Sequence, residues 1–189
     1  MINLQKELTN INEHKIVLVV EDATEYLKTN IKILRIFCND KKIHGIYITA
    51  NRPYESIKKL LEENKIDSAK LFFIDTITNT KNIKSKKVQN CIYISSAESL
   101  TEISIAISEL VKIIPGKDRF LFLDSITTLL MYNSAGTTTK FVHFLTNKIR
   151  EWGISGVLVS LERETDEKLI SQLSQFVDKI IYVHGGKNA

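Results

Sequence analysis

Seven short runs, most of them apolar and β-branched along their length and alternating with longer segments of helical spacing, constrain this chain more than any other feature. They are Lys15 to Val20, Gly45 to Ala50, Lys70 to Asp75, Cys91 to Ser95, Arg119 to Asp124, Ser155 to Leu161 and Lys179 to Val183. A strand with one wet face alternates apolar and polar residues, whereas a strand that is apolar throughout has cover on both faces. Crossover helices supply that cover in a parallel sheet. The order therefore predicts an α/β fold: a mostly parallel central sheet with helices on both faces, in three layers.

The helical segments expected between the strands are Glu25 to Cys38, Tyr54 to Asn64, Ser99 to Ile113, Thr127 to Tyr132, Thr137 to Trp152 and Glu167 to Gln175. In the third, Leu100, Ile103, Ile107, Leu110 and Val111 mark one face, and Ser99 with Glu102 reads as a capping box before Pro115 and Gly116 stop the helix. Phe141, Phe144, Leu145, Ile149 and Trp152 form the apolar stripe of the fifth, with Gly153 as its stop.

A chain of 189 residues fits one domain and buries roughly 70% of its unfolded surface. The expected organisation is a single domain over 1–189, with a helical extension over 1–13 built on Ile2, Leu4, Leu8 and Ile11, and a mobile basic loop over 76–90. No apolar run approaches the ~20 residues a membrane span needs, so the expectation is a cytoplasmic protein without a membrane partner. Cys38 and Cys91, the only cysteines, sit in apolar stretches and read as buried thiols. His14, His44, His143 and His184 are scattered without metal-site spacing. The net charge of +4 gathers at Lys41–Lys42 and at Lys81, Lys84, Lys86 and Lys87. The acidic run that begins at Glu162 opens a helix, where carboxylates meet the favourable end of the helix dipole.

The segment Phe120-Leu-Phe-Leu-Asp-Ser-Ile-Thr-Thr-Leu-Leu resembles the Walker B strand of RecA and KaiC-like ATPases, where an apolar strand ends in Asp-Ser and a Leu-rich helix follows. A buried strand delivers one carboxylate, Asp124, to the edge where open parallel sheets place ligands. Ile46-Tyr-Ile-Thr followed by Pro53 and a helix resembles the second strand of KaiC-like domains, and Cys91-Ile-Tyr-Ile-Ser-Ser with the helix after Glu98 resembles the unit that precedes the Walker B strand in archaeal KaiC-like proteins. The likeness runs from about His14 to Val183 and implies a RecA-like P-loop NTPase fold.

A phosphate-binding loop needs Gly-x-x-x-x-Gly-Lys-Ser/Thr, because the glycines let consecutive N–H groups turn inward around the phosphates. Aligned on Lys28 and Thr29, this chain has Asp22 and Leu27 at the glycine positions, so the resemblance includes a degenerate Walker A motif. Glu21, Asp22 and Glu25 add carboxylates where a triphosphate would sit, and like charges repel. KaiC-like relatives carry a Glu pair after the second strand to polarise the attacking water; here that stretch reads Ala50-Asn51-Arg52-Pro53. Positioning and activation of the phosphoryl group are both reduced.

Lys28, Thr29, Asp124 and Ser125 are the candidate remnant of a nucleotide site, with Asp124 the Mg²⁺ ligand if nucleotide binds, and no residue is assigned a catalytic role. No cofactor is expected, with Mg²⁺-ATP the alternative. Three functions stay open: a non-catalytic RecA/KaiC-like module working through a protein partner or as a homo-oligomer; a divergent ATP-binding protein or ATPase using Lys28, Thr29 and Asp124; and nucleic-acid binding through the basic loop 81–87, which would weaken steeply with salt.

Overall fold

All seven apolar runs form strands: β1 (Ile16–Glu21), β2 (His44–Thr49), β3 (Leu71–Asp75), β4 (Cys91–Tyr93), β5 (Arg119–Asp124), β6 (Ser155–Leu161) and β7 (Lys179–Tyr182). They lie in one sheet in the order β4-β3-β2-β5-β6-β1-β7, with every pairing parallel. The computed structural model describes residues 7–8, 15–78, 88–162, 165 and 167–183. The basic cluster Lys81 to Lys87, most of the N-terminal extension and the Gly-Lys-Asn tail fall outside the described residues. Of the extension, Leu8 is buried and Glu7 pairs with Lys179.

Among the described residues the sheet is covered by α1 (Tyr26–Arg35), α2 (Tyr54–Glu63), α3 (Leu100–Ile113), α4 (Ile126–Tyr132), α5 (Ala135–Glu151) and α6 (Glu167–Leu173). Strand side chains alternate between faces. Ile16, Leu18, Val20, Leu121 and Leu123 point to the layer of α3, α4, α5 and α6, whereas Val17, Val19, Phe120 and Phe122 point to that of α1 and α2. Each such side chain contributes ~1.5–3 kcal/mol by burial, which fixes the register from both sides. Gly45 has a packing role on the α1/α2 side: a Cβ there would fall 2.3 Å from the ring of Phe120, which instead stacks on Phe37 with centroids 4.5 Å apart.

Several local expectations are corrected. Ser99 makes no side-chain cap; the Glu102 carboxylate instead accepts from the backbone N–H and hydroxyl of Ser95, drawing the end of β4 onto α3. Helix α5 starts two residues earlier than its apolar stripe indicates, because the Ser134 hydroxyl caps it by accepting from the N–H of Thr137. Phe144, expected in that stripe, is exposed. Helix α1 passes into a wider turn over Ile36–Asp40, which turns Phe37 and Cys38 into the core. Gly153 stops α5 with φ 60°. Both cysteines are buried and free, and burial raises each thiol to about 12.

Candidate functional site

Strands β1 and β5 are separated only by β6, and each ends in an acid that faces α1 and α2: Glu21 follows the parity of Val17 and Val19, and Asp124 that of Phe120 and Phe122. With neighbouring strands ~4.8 Å apart, the two strand ends lie about 10 Å from each other. Both acids are buried.

Asp124 is surrounded by donors. The Tyr26 hydroxyl, from the first residue of α1, donates to Oδ1, and the Tyr47 hydroxyl, from the middle of β2, donates to Oδ2. The Asn51 amide, in the turn after β2, reaches Oδ1 at 3.2 Å and the Tyr26 oxygen at 2.8 Å. That turn is itself fixed. The Ala50 N–H donates to the Asp124 carbonyl at 2.7 Å, the Thr49 hydroxyl donates to the Arg52 carbonyl at 2.5 Å, and Pro53 leads into α2. The Thr128 hydroxyl closes the group by donating to the Asn51 side-chain oxygen. A tyrosine ring packs like any aromatic and carries its polar end inward only where a partner waits; Tyr47 leans on Phe73 and Phe122, and Asp124 is that partner.

Electrostatics favour neutral acids. Burial, then the proximity of Glu21, pushes the Asp124 carboxyl well above the ordinary range for an aspartate. Burial raises Glu21 to about 8, and the nearby Thr29 hydroxyl offsets only part of this. Among the described residues neither Glu21 oxygen has a hydrogen-bond partner, and the Asn30 side chain on α1 is likewise buried without one.

The four residues singled out in the sequence are only partly brought together. Asp124 and Ser125 are adjacent across a cis peptide bond. The Ser125 hydroxyl caps α4 by accepting from the N–H of Thr128, and the two hydroxyls lie 3.0 Å apart. Thr29 is buried beside Glu21. Lys28 points away from Asp124: its side chain is 70% exposed and its ammonium pairs with Glu25 at 2.9 Å. Asp22 is occupied within the loop, accepting from the N–H and hydroxyl of Thr24 at 2.9 and 2.8 Å. Asp75, at the end of β3, accepts from the N–H groups of Tyr54, Ile77 and Thr78 and so locks the entry to α2. Among the described residues no group of three or more His, Cys, Asp and Glu side chains could hold a metal ion, and no helix is long and apolar enough to cross a membrane.

Sequence reasoning missed the roles of Tyr26, Tyr47 and Asn51. One signal was available: Tyr47 interrupts an aliphatic strand with a hydroxyl that needs a partner when buried, and parallel pairing puts that partner at the carboxyl end of a neighbouring strand.

A seven-stranded parallel sheet between two helical layers, with the first strand and the Asp-ended strand separated by one other, defines a RecA/KaiC-like domain. Two solved structures superpose on it. A KaiC-like protein from the hyperthermophilic archaeon Pyrococcus horikoshii, PH0186, matches with a TM-score of 0.63 at 13% identity over 94% of this chain and 75% of its own. An uncharacterized protein from the same organism, PH0321, in complex with an unknown peptide, matches with a TM-score of 0.73 at 14% identity over 98% of this chain and 83% of its own. At such identities the likeness concerns the fold. The chain belongs to DUF7504, a family of unknown function, whose model matches residues 16–183. No curated protein sequence matches it.

Proposed function

We propose that this chain is a non-catalytic RecA/KaiC-like domain that works through protein contacts. The observation that carries the reading is the enclosure of Asp124: both carboxyl oxygens take hydrogen bonds from Tyr26, Tyr47 and Asn51. An aspartate that orients Mg²⁺ must present ionised oxygen to the ion or its water shell. Here the oxygens face two phenols and an amide, and the environment favours the neutral acid. The Ser125 hydroxyl is committed to Thr128, so this donor set does not suit a Mg²⁺-nucleotide. The degenerate loop supports the same reading. Asp22 and Leu27 stand at its glycine positions, Tyr26 reaches inward, and Lys28 is held outward by Glu25. Asn51 and Arg52 supply no carboxylate base.

Titration calorimetry with Mg²⁺-ATP and Mg²⁺-ADP, on the unmodified protein and on Lys28→Ala, tests this directly. The expected result is no binding heat for either protein at millimolar nucleotide. Micromolar binding that disappears in Lys28→Ala would replace the reading with that of a divergent nucleotide-binding protein.

A further inference from the structure

Two surfaces on opposite faces of the sheet are both apolar and carry complementary charge. On one face, α1 and α2 enclose a groove of about 400 Å³. Leu27, Ile31 and Leu60 form its floor, and Lys28, Lys32 and Arg35 stand along its α1 side. Lys28 leans on Glu25 and Arg35 donates to the Asn64 carbonyl at 3.0 Å, while among the described residues no carboxylate lines the groove itself. On the other face, α3 buries Ile103, Ala106, Ile107, Leu110 and Val111 and turns a second apolar row to solvent: Ile105 is 54% exposed and Ile113 63%. These two lie eight positions apart with Glu109 between them on the same side, Glu102 one turn before and Lys112 beside the row. At 1.5 Å per residue, the stretch from Leu27 to Arg35 and that from Ile105 to Ile113 each span about 12 Å. An apolar floor with a cationic edge thus matches an apolar row with an acidic centre.

We propose that copies of this chain associate head to tail, with the Ile105–Glu109–Ile113 row of one copy seated in the α1/α2 groove of the next. Ile105 and Ile113 cover Leu27, Ile31 and Leu60, and Glu109 meets Lys32 and Arg35. The inference rests on reading the domain as a contact module, and it names the partner as a second copy. Because donor and acceptor surfaces lie on opposite faces, the contact is heterologous and each added copy leaves one of each surface free. A single helix row buries an area at the small end of specific interfaces, so the association belongs in the micromolar range or weaker.

Sedimentation velocity without nucleotide, over a concentration series from roughly 1 to 300 μM, reads the association. The average mass should rise with concentration past that of a dimer. Ile105→Asp/Ile113→Asp and Lys32→Glu/Arg35→Glu change exposed side chains, and each should weaken association by at least roughly tenfold. Mixing the two variants is the decisive arm, because each retains the surface that the other lacks. The mixture should form one-to-one pairs and stop there. A chain that stays monomeric throughout, self-association indifferent to both variants, or a mixture that does not pair would each overturn the proposal. None of these outcomes bears on nucleotide affinity, so failure here is distinguishable from failure of the non-catalytic reading.

Discussion

The two faces of the sheet are built from different materials. The face under α3, α4, α5 and α6 is mainly aliphatic, with Phe141 its one buried aromatic among the described residues, and three of its hydroxyls satisfy one another: Thr127, Ser160 and Thr165 lie within 2.8–3.3 Å of each other. The face under α1 and α2 buries Tyr26, Phe37, Tyr47, Tyr54, Phe73, Phe120 and Phe122, and it holds the three buried acids of the described residues, Glu21, Asp75 and Asp124. A hydroxyl can donate and accept, so a small cluster of them closes on itself at little cost. A carboxyl needs donors aimed at it or must stay protonated. The aromatic face meets that need for Asp124 with tyrosines, whose rings serve the core while their hydroxyls serve the acid. For Glu21, among the described residues, it supplies only the nearby Thr29 hydroxyl, which offsets part of the burial.

The largest effect that distinguishes the faces comes from neighbours on β5. Phe122→Ala should cost about 3–5 kcal/mol and Leu123→Ala about 2–5 kcal/mol in urea unfolding, each from lost burial and the cavity left behind. Their side chains point to opposite faces, so only the first should disturb the acids. Phe122 supports Tyr47, with ring centroids 5.1 Å apart, and Tyr47 donates to Asp124. Stability measured against pH should therefore change shape in Phe122→Ala and merely move down in Leu123→Ala. Identical pH profiles for the two variants would mean that the aromatic packing does not hold the hydroxyl in place.

Next in size is the pH dependence carried by Glu21. Its carboxyl is raised from 4.5 to about 8 on folding, so the folded chain holds a proton that the unfolded chain releases. The stabilisation is complete below about pH 4.5 and is lost progressively as pH rises through about 8. Glu21→Gln removes this proton linkage. The variant should gain on the unmodified protein as pH rises, by on the order of 4 kcal/mol at pH 8, and the difference should vanish near pH 4. Some slope should survive, because Asp124 is shifted in the same direction. A difference independent of pH would show that the Glu21 carboxyl is not shifted on folding.

The same contrast explains what the sequence could reveal. Strands β5 and β6 were legible to the residue, because a run such as Phe120 to Asp124 carries its own period and its own ending. The aliphatic layer was legible for similar reasons: Ile103, Ile107, Leu110 and Val111 repeat with the helix, and burial follows. Helix starts were less so, since caps compete. Glu102 bonds to Ser95 in preference to completing a box with Ser99, a choice made by how β4 approaches α3. The site was legible only at Asp124. Tyr26, Tyr47 and Asn51 come from three elements separated by up to 98 positions from the acid they meet, and no local period records such a meeting.

The smallest expected effect is the most informative about Asp124. Asp124→Ala removes the acceptors of two phenols at once, while the Asn51 amide keeps the Tyr26 oxygen, and each buried donor left unmet costs roughly 1–3 kcal/mol. Asp124→Asn keeps the shape and one carbonyl acceptor but places two N–H donors where the second oxygen was. If the aspartate is neutral when folded, it already carries a proton on one oxygen and one tyrosine hydroxyl already accepts. The amide then reproduces the pattern, and the cost at pH 7 should be below about 0.5 kcal/mol. If the aspartate is ionised, both phenols donate to charge, and the amide forfeits a charge-assisted bond of roughly 1.5–3 kcal/mol. Urea melts of the two variants at pH 7 separate these cases. A near-silent Asp124→Asn beside a damaging Asp124→Ala identifies a neutral acid held as a hydrogen-bonding hub, the state least able to attract a cation. A cost shared by both variants would restore a charged aspartate at the strand end and with it the case for a nucleotide.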